Sequence, residues 1–140
     1  MPRNNSPEVS LKSLFIRAIG GGVAAALVNL ALYFLARAAG VAMEGAFSPG
    51  QPPGLLPLPP VALASIVPAI PAAILAWLLA RFTGDAARNF SAIAVIFTLL
   101  SFAGPAGVAG ASMETKVALG LMHIVAATGI AGSIHRALRG

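Results

Sequence analysis

Four stretches of this chain carry no charged side chain, and each is close to the length that crosses a bilayer as a helix. They are residues 18–36 (AIGGGVAAALVNLALYFLA), 61–80 (VALASIVPAIPAAILAWLLA), 91–109 (SAIAVIFTLLSFAGPAGVA) and 117–134 (VALGLMHIVAATGIAGSI). A helix needs about 20 apolar residues to cross roughly 30 Å of hydrocarbon. In water, 140 residues with 58% hydrophobic and 9% charged side chains could not cover their own surface, since a soluble domain carries about 25% charged residues and a small one buries a modest fraction of its area. The solvent these stretches fit is lipid.

The charges set the threading. Arg3, Lys12 and Arg17 precede the first stretch, Arg81 and Arg88 lie between the second and third, and Arg136 and Arg139 follow the fourth. Only Arg37 and Lys116 fall on the opposite side. Basic residues collect on the cytoplasmic side, so both termini are expected there. The segment RFTGDAARN is then a short cytoplasmic hairpin, with Thr83, Gly84 and Asp85 suited to a helix stop and a new cap. The excess of base, net +5, is thereby a membrane-flank feature. It is dispersed singly and does not form an aromatic-interleaved patch, which argues against nucleic acid. Cleavage of the first stretch as a signal peptide is disfavoured by its length, because signal cores run about 7 to 15 residues.

The outer loop, residues 40–60, has prolines at 49, 52, 53, 57, 59 and 60. Proline lacks an N–H and restricts the residue before it, so an extended, polyproline-like connector is expected. With Phe47, Leu55, Leu56 and Leu58 it is also apolar. That fits a connector lying on the outer face of the bundle, with a lid or docking strip as the functional alternative. Pro68 and Pro71 should kink the second span and Pro105 the third. Small residues are dense: Gly20, Gly21 and Gly22 near the start of the first span, Gly104, Gly107 and Gly110 at the end of the third, Gly129, Gly132 and Ser133 at the end of the fourth. Such residues let helices approach closely where lipid gives little hydrophobic drive. They suit a tight bundle or a homo-oligomer equally.

The candidate site is a polar layer inside this apolar frame. An ionisable residue within a span is a functional hypothesis by default, and His123 is the one such residue. By helix rise it lies about 4 Å outward of the midplane, and Asn29 about 3 Å. Ser101, with Thr98, brackets the centre of the third span. Asn29, Tyr33 and Arg37 are four residues apart and form one stripe on a helix face. Lys116, Gly120 and His123 make a second. Facing each other, the stripes would line a polar cleft opening outward, with Arg37 and Lys116 making its mouth positive and favourable to an anionic or polar-headed ligand. Two other roles stay open for these residues. His123 can be interhelical glue donating to Asn29 or Ser101, a contact typically worth about 1 kcal/mol. It can also ligate haem, although His135, twelve residues on, is about 18 Å away along the helix, so one chain cannot place both on one iron.

Most other chemistry is missing. No span holds a carboxylate, since Glu8, Glu44, Asp85 and Glu114 fall in connections or at ends, and there is no cysteine. A proton relay of the Asp/Glu type lacks its residue. No HExxH, nucleophile elbow or paired carboxylate is present, and no metal site is expected.

The order VNLALYFLARAAGV, a proline-rich loop, LLARFT, LLSFAGP and TKVALGLMHIVAA resembles a family of uncharacterised small bacterial membrane proteins known only as a domain of unknown function. The likeness covers nearly the whole chain, and Asn29 with Tyr33 and Met122 with His123 are its most distinctive elements. It implies four helices in a bacterial membrane and brings no activity, cofactor or catalytic residue. The sequence therefore predicts one transmembrane domain over residues 1–140. It is an all-α integral membrane four-helix bundle with a proline-rich outer loop, in the bacterial inner (cytoplasmic) membrane. The expected function is non-enzymatic: an oligomeric protein that binds or passes a small or lipid-like ligand through the cleft of Asn29, Tyr33, Arg37, Ser101, Lys116 and His123, with no cofactor. An accessory or scaffold subunit of a larger membrane complex is the first alternative. A redox or haem-binding subunit using His123 is the second. The expected partners are the bilayer and another copy or another membrane protein.

Overall fold

The computed structural model describes residues 9–140, so Arg3 and Glu8 of the charge argument lie outside the described residues. Helix α1 runs Leu11–Ala38, seven residues earlier than the uncharged stretch suggests. Ser10 explains the early start: its Oγ accepts from the Ser13 amide at 3.1 Å, satisfying one orphan donor of the first turn. The added turns keep Leu14 and Ala18 fully buried while Lys12 and Arg17 stay exposed. At 1.5 Å per residue the helix is about 42 Å long, so it reaches beyond the hydrocarbon. It stops in a left-handed cap. Gly40 takes φ +90°, its amide donates to Arg37 O, and the Val41 amide donates to Ala36 O, the paired bonds of a glycine-terminated helix.

The proline-rich loop is not a polyproline strip. It folds into a minimal hairpin, β1 (Glu44–Gly45) antiparallel to β2 (Gly54–Leu55). Ala46 bridges to Ala109 beyond the third span, and the Leu56 amide donates to Met43 O at 2.8 Å. Pro59 and Pro60 belong to the next helix, whose first turn has no use for their missing N–H groups. The second span is two helices, α2 (Leu58–Ile66) and α3 (Ala69–Phe82). The third is α4 (Ala86–Ser101) followed by the short α5 (Ala103–Gly107). Both breaks fall three or four residues before a proline, at Val67 before Pro71 and at Phe102 before Pro105, where the ring collides with the preceding turn. Pro68 sits at the N-cap of α3, so Pro71 is the residue that forces the break. The turn into α4 is capped by Asp85, whose Oδ1 accepts from the Arg88 amide. Helix α6 (Met113–Leu138) starts at the Ser112 cap.

Together these make four helices long and apolar enough to cross a membrane, Leu11–Ala38, Leu58–Phe82, Ala86–Gly107 and Met113–Leu138. Helix α1 is central and packs against α2, α3 and α6, while α4 lies against α3 and α6. The glycines of the first span divide the work. A Cβ on Gly21 would stand 2.2 Å from Gly129 O on α6, one on Gly22 would stand 3.0 Å from Ser65 O on α2, and Gly20 meets nothing. Backbone approaches this close are the packing mode of membrane helices.

Two clusters fill the bundle. The first holds Leu14, Ala18, Ala73, Ala76, Phe90, Ile130 and Ile134; the second holds Tyr33, Met43, Leu56, Val61 and Met122. The first lies at the end that carries Lys12, Arg17, Arg81, Arg88, Arg136 and Arg139, the second at the end that carries Arg37, Glu44, Glu114 and Lys116. We call these the basic end and the loop end. Outside the clusters Leu27, Leu35, Val95, Phe97, Leu99 and Leu100 are exposed. Large exposed apolar patches mark contact with partners or membrane, and here they run around a four-span protein.

Candidate functional site: a small cavity at Asn29 and His123

Asn29 sits on the face of α1 that also carries Gly22, Ala25 and Ala26, all buried. Small neighbours bring α2 and α6 close enough for its amide to reach both. Nδ2 donates to Ser65 Oγ on α2 and to Met122 O on α6, each at 2.9 Å. The direction is fixed by chemistry: Met122 O accepts only, and the Ser65 hydroxyl is already donating to Val61 O at 2.9 Å. Asn29 is 2% exposed, and its Oδ1 is buried with no partner among the described residues. Leaving a buried acceptor unpaired costs about 1–3 kcal/mol.

One residue along α6 from Met122, His123 adds a second acceptor. Its Nδ1 lies 2.9 Å from Leu119 O. A carbonyl accepts only, so Nδ1 carries the proton and, in the neutral ring, Nε2 is a bare acceptor. Asn29, Ser65 and His123 line one cavity of about 190 Å³, closed above by Phe47 and Leu56 of the loop. Pro60 and Ala64, also lining it, are exposed, so it opens along α2. The rest of its wall is apolar.

The other expected residues stand elsewhere. Tyr33 is buried one turn further along α1 and its hydroxyl donates to Leu56 O at 3.1 Å, which ties the loop down over the cavity. Arg37 donates to Ala42 O at 2.6 Å, steadying the chain as it leaves α1. Lys116 is partly exposed in the first turn of α6. Ser101 donates to Thr98 O within its own helix, and Thr98 to Ala94 O, the inward-bonded habit of hydroxyls in helices. Neither Arg37, Lys116, Tyr33 nor Ser101 lines the cavity. The third polar partner is Ser65, which the sequence reading passed over. The signal available was its place as the only hydroxyl in the second span, next to the proline pair.

The Tyr33 contact gives a direct expectation. Tyr33→Phe removes one hydrogen bond, about 1 kcal/mol, and should release the loop. Hydrogen exchange of the Leu56 amide should quicken while exchange along α1 and α6 is unchanged. Unaltered exchange at Leu56 would mean that the hairpin, not Tyr33, anchors the loop.

The arrangement has a definite chemical sense. Asn29, whose Oδ1 is unpaired, and His123, whose Nε2 is a bare acceptor in the neutral ring, both line one apolar-walled cavity that holds no cationic side chain. It suits a group bearing O–H or N–H and disfavours an anion, which would add a third set of lone pairs. Among the described residues no three His, Cys, Asp or Glu side chains cluster as a metal site. The model of a family of unknown function, DUF6069, matches residues 9–140 of the chain. No curated protein and no solved structure matches it.

Proposed function

The chain belongs to DUF6069, a family of unknown function, and we propose that this small multi-pass membrane protein binds a hydrogen-bond-donating group of a small or lipid-like molecule between α1, α2 and α6. The observation that carries this is the unpaired Oδ1 of Asn29 beside a cavity that His123 also lines. Size narrows the ligand. At about 30 Å³ per water, 190 Å³ takes the volume of about six waters, and drug-sized ligands occupy roughly 300–1,000 Å³. A hydroxyl or amine headgroup fits, with its chain leaving along α2 past Pro60 and Ala64 into lipid. Basic residues gathered at one end favour that end facing the cytoplasm, and the resemblance to bacterial proteins favours the inner membrane. The cavity then lies in the outer half of the bilayer.

Native mass spectrometry of the intact protein, released from mild detergent, tests this. Wild type should carry a small adduct that His123→Leu loses, and His123→Leu should keep the wild-type thermal midpoint to within a few degrees. A wild type without adduct, or an adduct undiminished in the variant, would rule the cavity out as its site.

The third span supports a second reading. Only 11% of its apolar window is buried in the monomer, against 39% for the first, and Val95, Ile96, Phe97, Leu99 and Leu100 are all exposed. A second copy or a larger membrane complex packed on this face would make the protein a subunit as well as a binder. The mass of the same detergent-released particle reports copy number and any protein partner.

A further inference from the structure

A second cavity, of about 570 Å³, lies at the basic end, between the first two turns of α4 and the last turn of α6. Arg88 and Ser91 line it from α4, His135 and Arg139 from the end of α6, and Asp85 from the intervening cap. It is far from the Asn29 cavity and independent of it. Its volume falls in the range of ordinary ligand sites, roughly 300–1,000 Å³.

The charges lining it are free for a ligand. Two other arginines on this end are engaged: Arg81 lies over the Trp77 ring, 4.4 Å from its centroid, and Arg136 Nε donates to Gly132 O. Arg88 and Arg139 have no acceptor for their guanidinium groups among the described residues. The one carboxylate in the lining, Asp85, uses Oδ1 to cap the Arg88 amide. The Ser91 hydroxyl donates to Ala87 O at 2.9 Å and lies 2.8 Å from His135 Nδ1. With its one proton committed, Ser91 Oγ must accept from Nδ1–H, which orients the ring and leaves Nε2 unused. Two guanidinium forks from different helices match a tetrahedral oxyanion better than a planar carboxylate. A phosphate offers three or more oxygens to several forks at once.

We infer that this cavity binds a phosphate group, carried either by an anionic lipid headgroup or by a free phosphate compound, through Arg88 and Arg139. A charge of this kind near the membrane surface contributes about fivefold in affinity for an anionic lipid. The detergent-solubilised protein offered equal amounts of phosphatidylglycerol and phosphatidylcholine with matched chains should retain the former at least about fivefold over the latter in native mass spectra. Arg88→Gln with Arg139→Gln should bring the ratio to near one, each single variant should fall between, and Arg81→Gln should leave it unchanged. The single variants, judged beside a thermal melt, keep the test decisive if the double variant unfolds. A second arm titrates inorganic phosphate into the protein held in phosphatidylcholine nanodiscs. Saturable heat that the arginine variants abolish, without lipid preference, identifies the ligand as a free phosphate. Lipid preference without saturable heat identifies it as a headgroup. No preference and no saturation, or an equal loss in Arg81→Gln, overturns the site.

Discussion

Gly21→Val is expected to abolish the α1–α6 contact and with it the folded bundle. The Cβ that valine adds would stand 2.2 Å from Gly129 O, 2.6 Å from Ser133 Oγ and 2.8 Å from the Gly129 carbonyl carbon. The obstruction is chiefly backbone, which cannot rotate away as a side-chain tip can. Relief requires the helices to part by more than 1 Å or so along their longest contact, since ordinary van der Waals separation begins near 3.4 Å. Overpacking of a core typically costs about 1–3 kcal/mol and sometimes more. A clash with backbone on a glycine seam belongs at the upper end, about 3 kcal/mol or above. Gly129→Val should behave alike, because a Cβ there meets Gly21 O at 2.7 Å. Gly20→Ala is the control. Nothing lies within 4 Å of that position, and alanine favours helix by about 1 kcal/mol over glycine, so it should be neutral or stabilising. Thermal melts followed by size-exclusion in detergent read all three. A wild-type melt for Gly21→Val would mean that α1 and α6 do not cross as described.

Asn29→Leu separates a binding role from a structural one. The substitution removes two hydrogen bonds from Nδ2, each worth about 1 kcal/mol between membrane helices. It also removes the unpaired Oδ1, whose burial costs about 1–3 kcal/mol. It leaves no donor stranded, since Ser65 still donates to Val61 O and Met122 O loses only an acceptor contact. Leucine keeps the branching and the number of side-chain heavy atoms. The melt should therefore shift by no more than about 1 kcal/mol. Retention of the ligand should fall at least tenfold, equivalent to about 1.4 kcal/mol. If Asn29 only ties helices together, the same small shift in the melt is expected, because the unpaired Oδ1 is removed all the same, and the adduct is unchanged.

Four apolar spans, their order and the weight of base at one end could be read from the residues, because lipid demands length and apolarity before anything else. A meeting of Asn29 with the His123 helix could be proposed from their depth, on the condition that the two polar stripes face each other. The third partner could not. Taking the first span to begin at residue 18 put Asn29 about 3 Å above centre, at the height of Ser101. The Ser10 cap moves the helix start to Leu11, which places Asn29 about 7 Å above the helix centre. That is the height of Ser65 in Leu58–Phe82. A helix end set by a cap and flanked by exposed lysine and arginine is invisible to a rule that cuts at charges. The hairpin in the proline-rich loop was hidden for a related reason. Its pairing depends on Ala109 and on the burial of Met43 and Leu56, contacts distant in sequence that local proline rules cannot supply.

The most direct trial of the central claim is an experimental map of the protein crystallised from a lipid mesophase, at a resolution that shows ordered water. Non-protein density is expected in the cavity, with donor atoms about 3 Å from both Asn29 Oδ1 and His123 Nε2, continuing along α2 past Ala64. A cavity closed by side chains, Oδ1 bonded to a protein donor, or one isolated water bridging the two acceptors would contradict it.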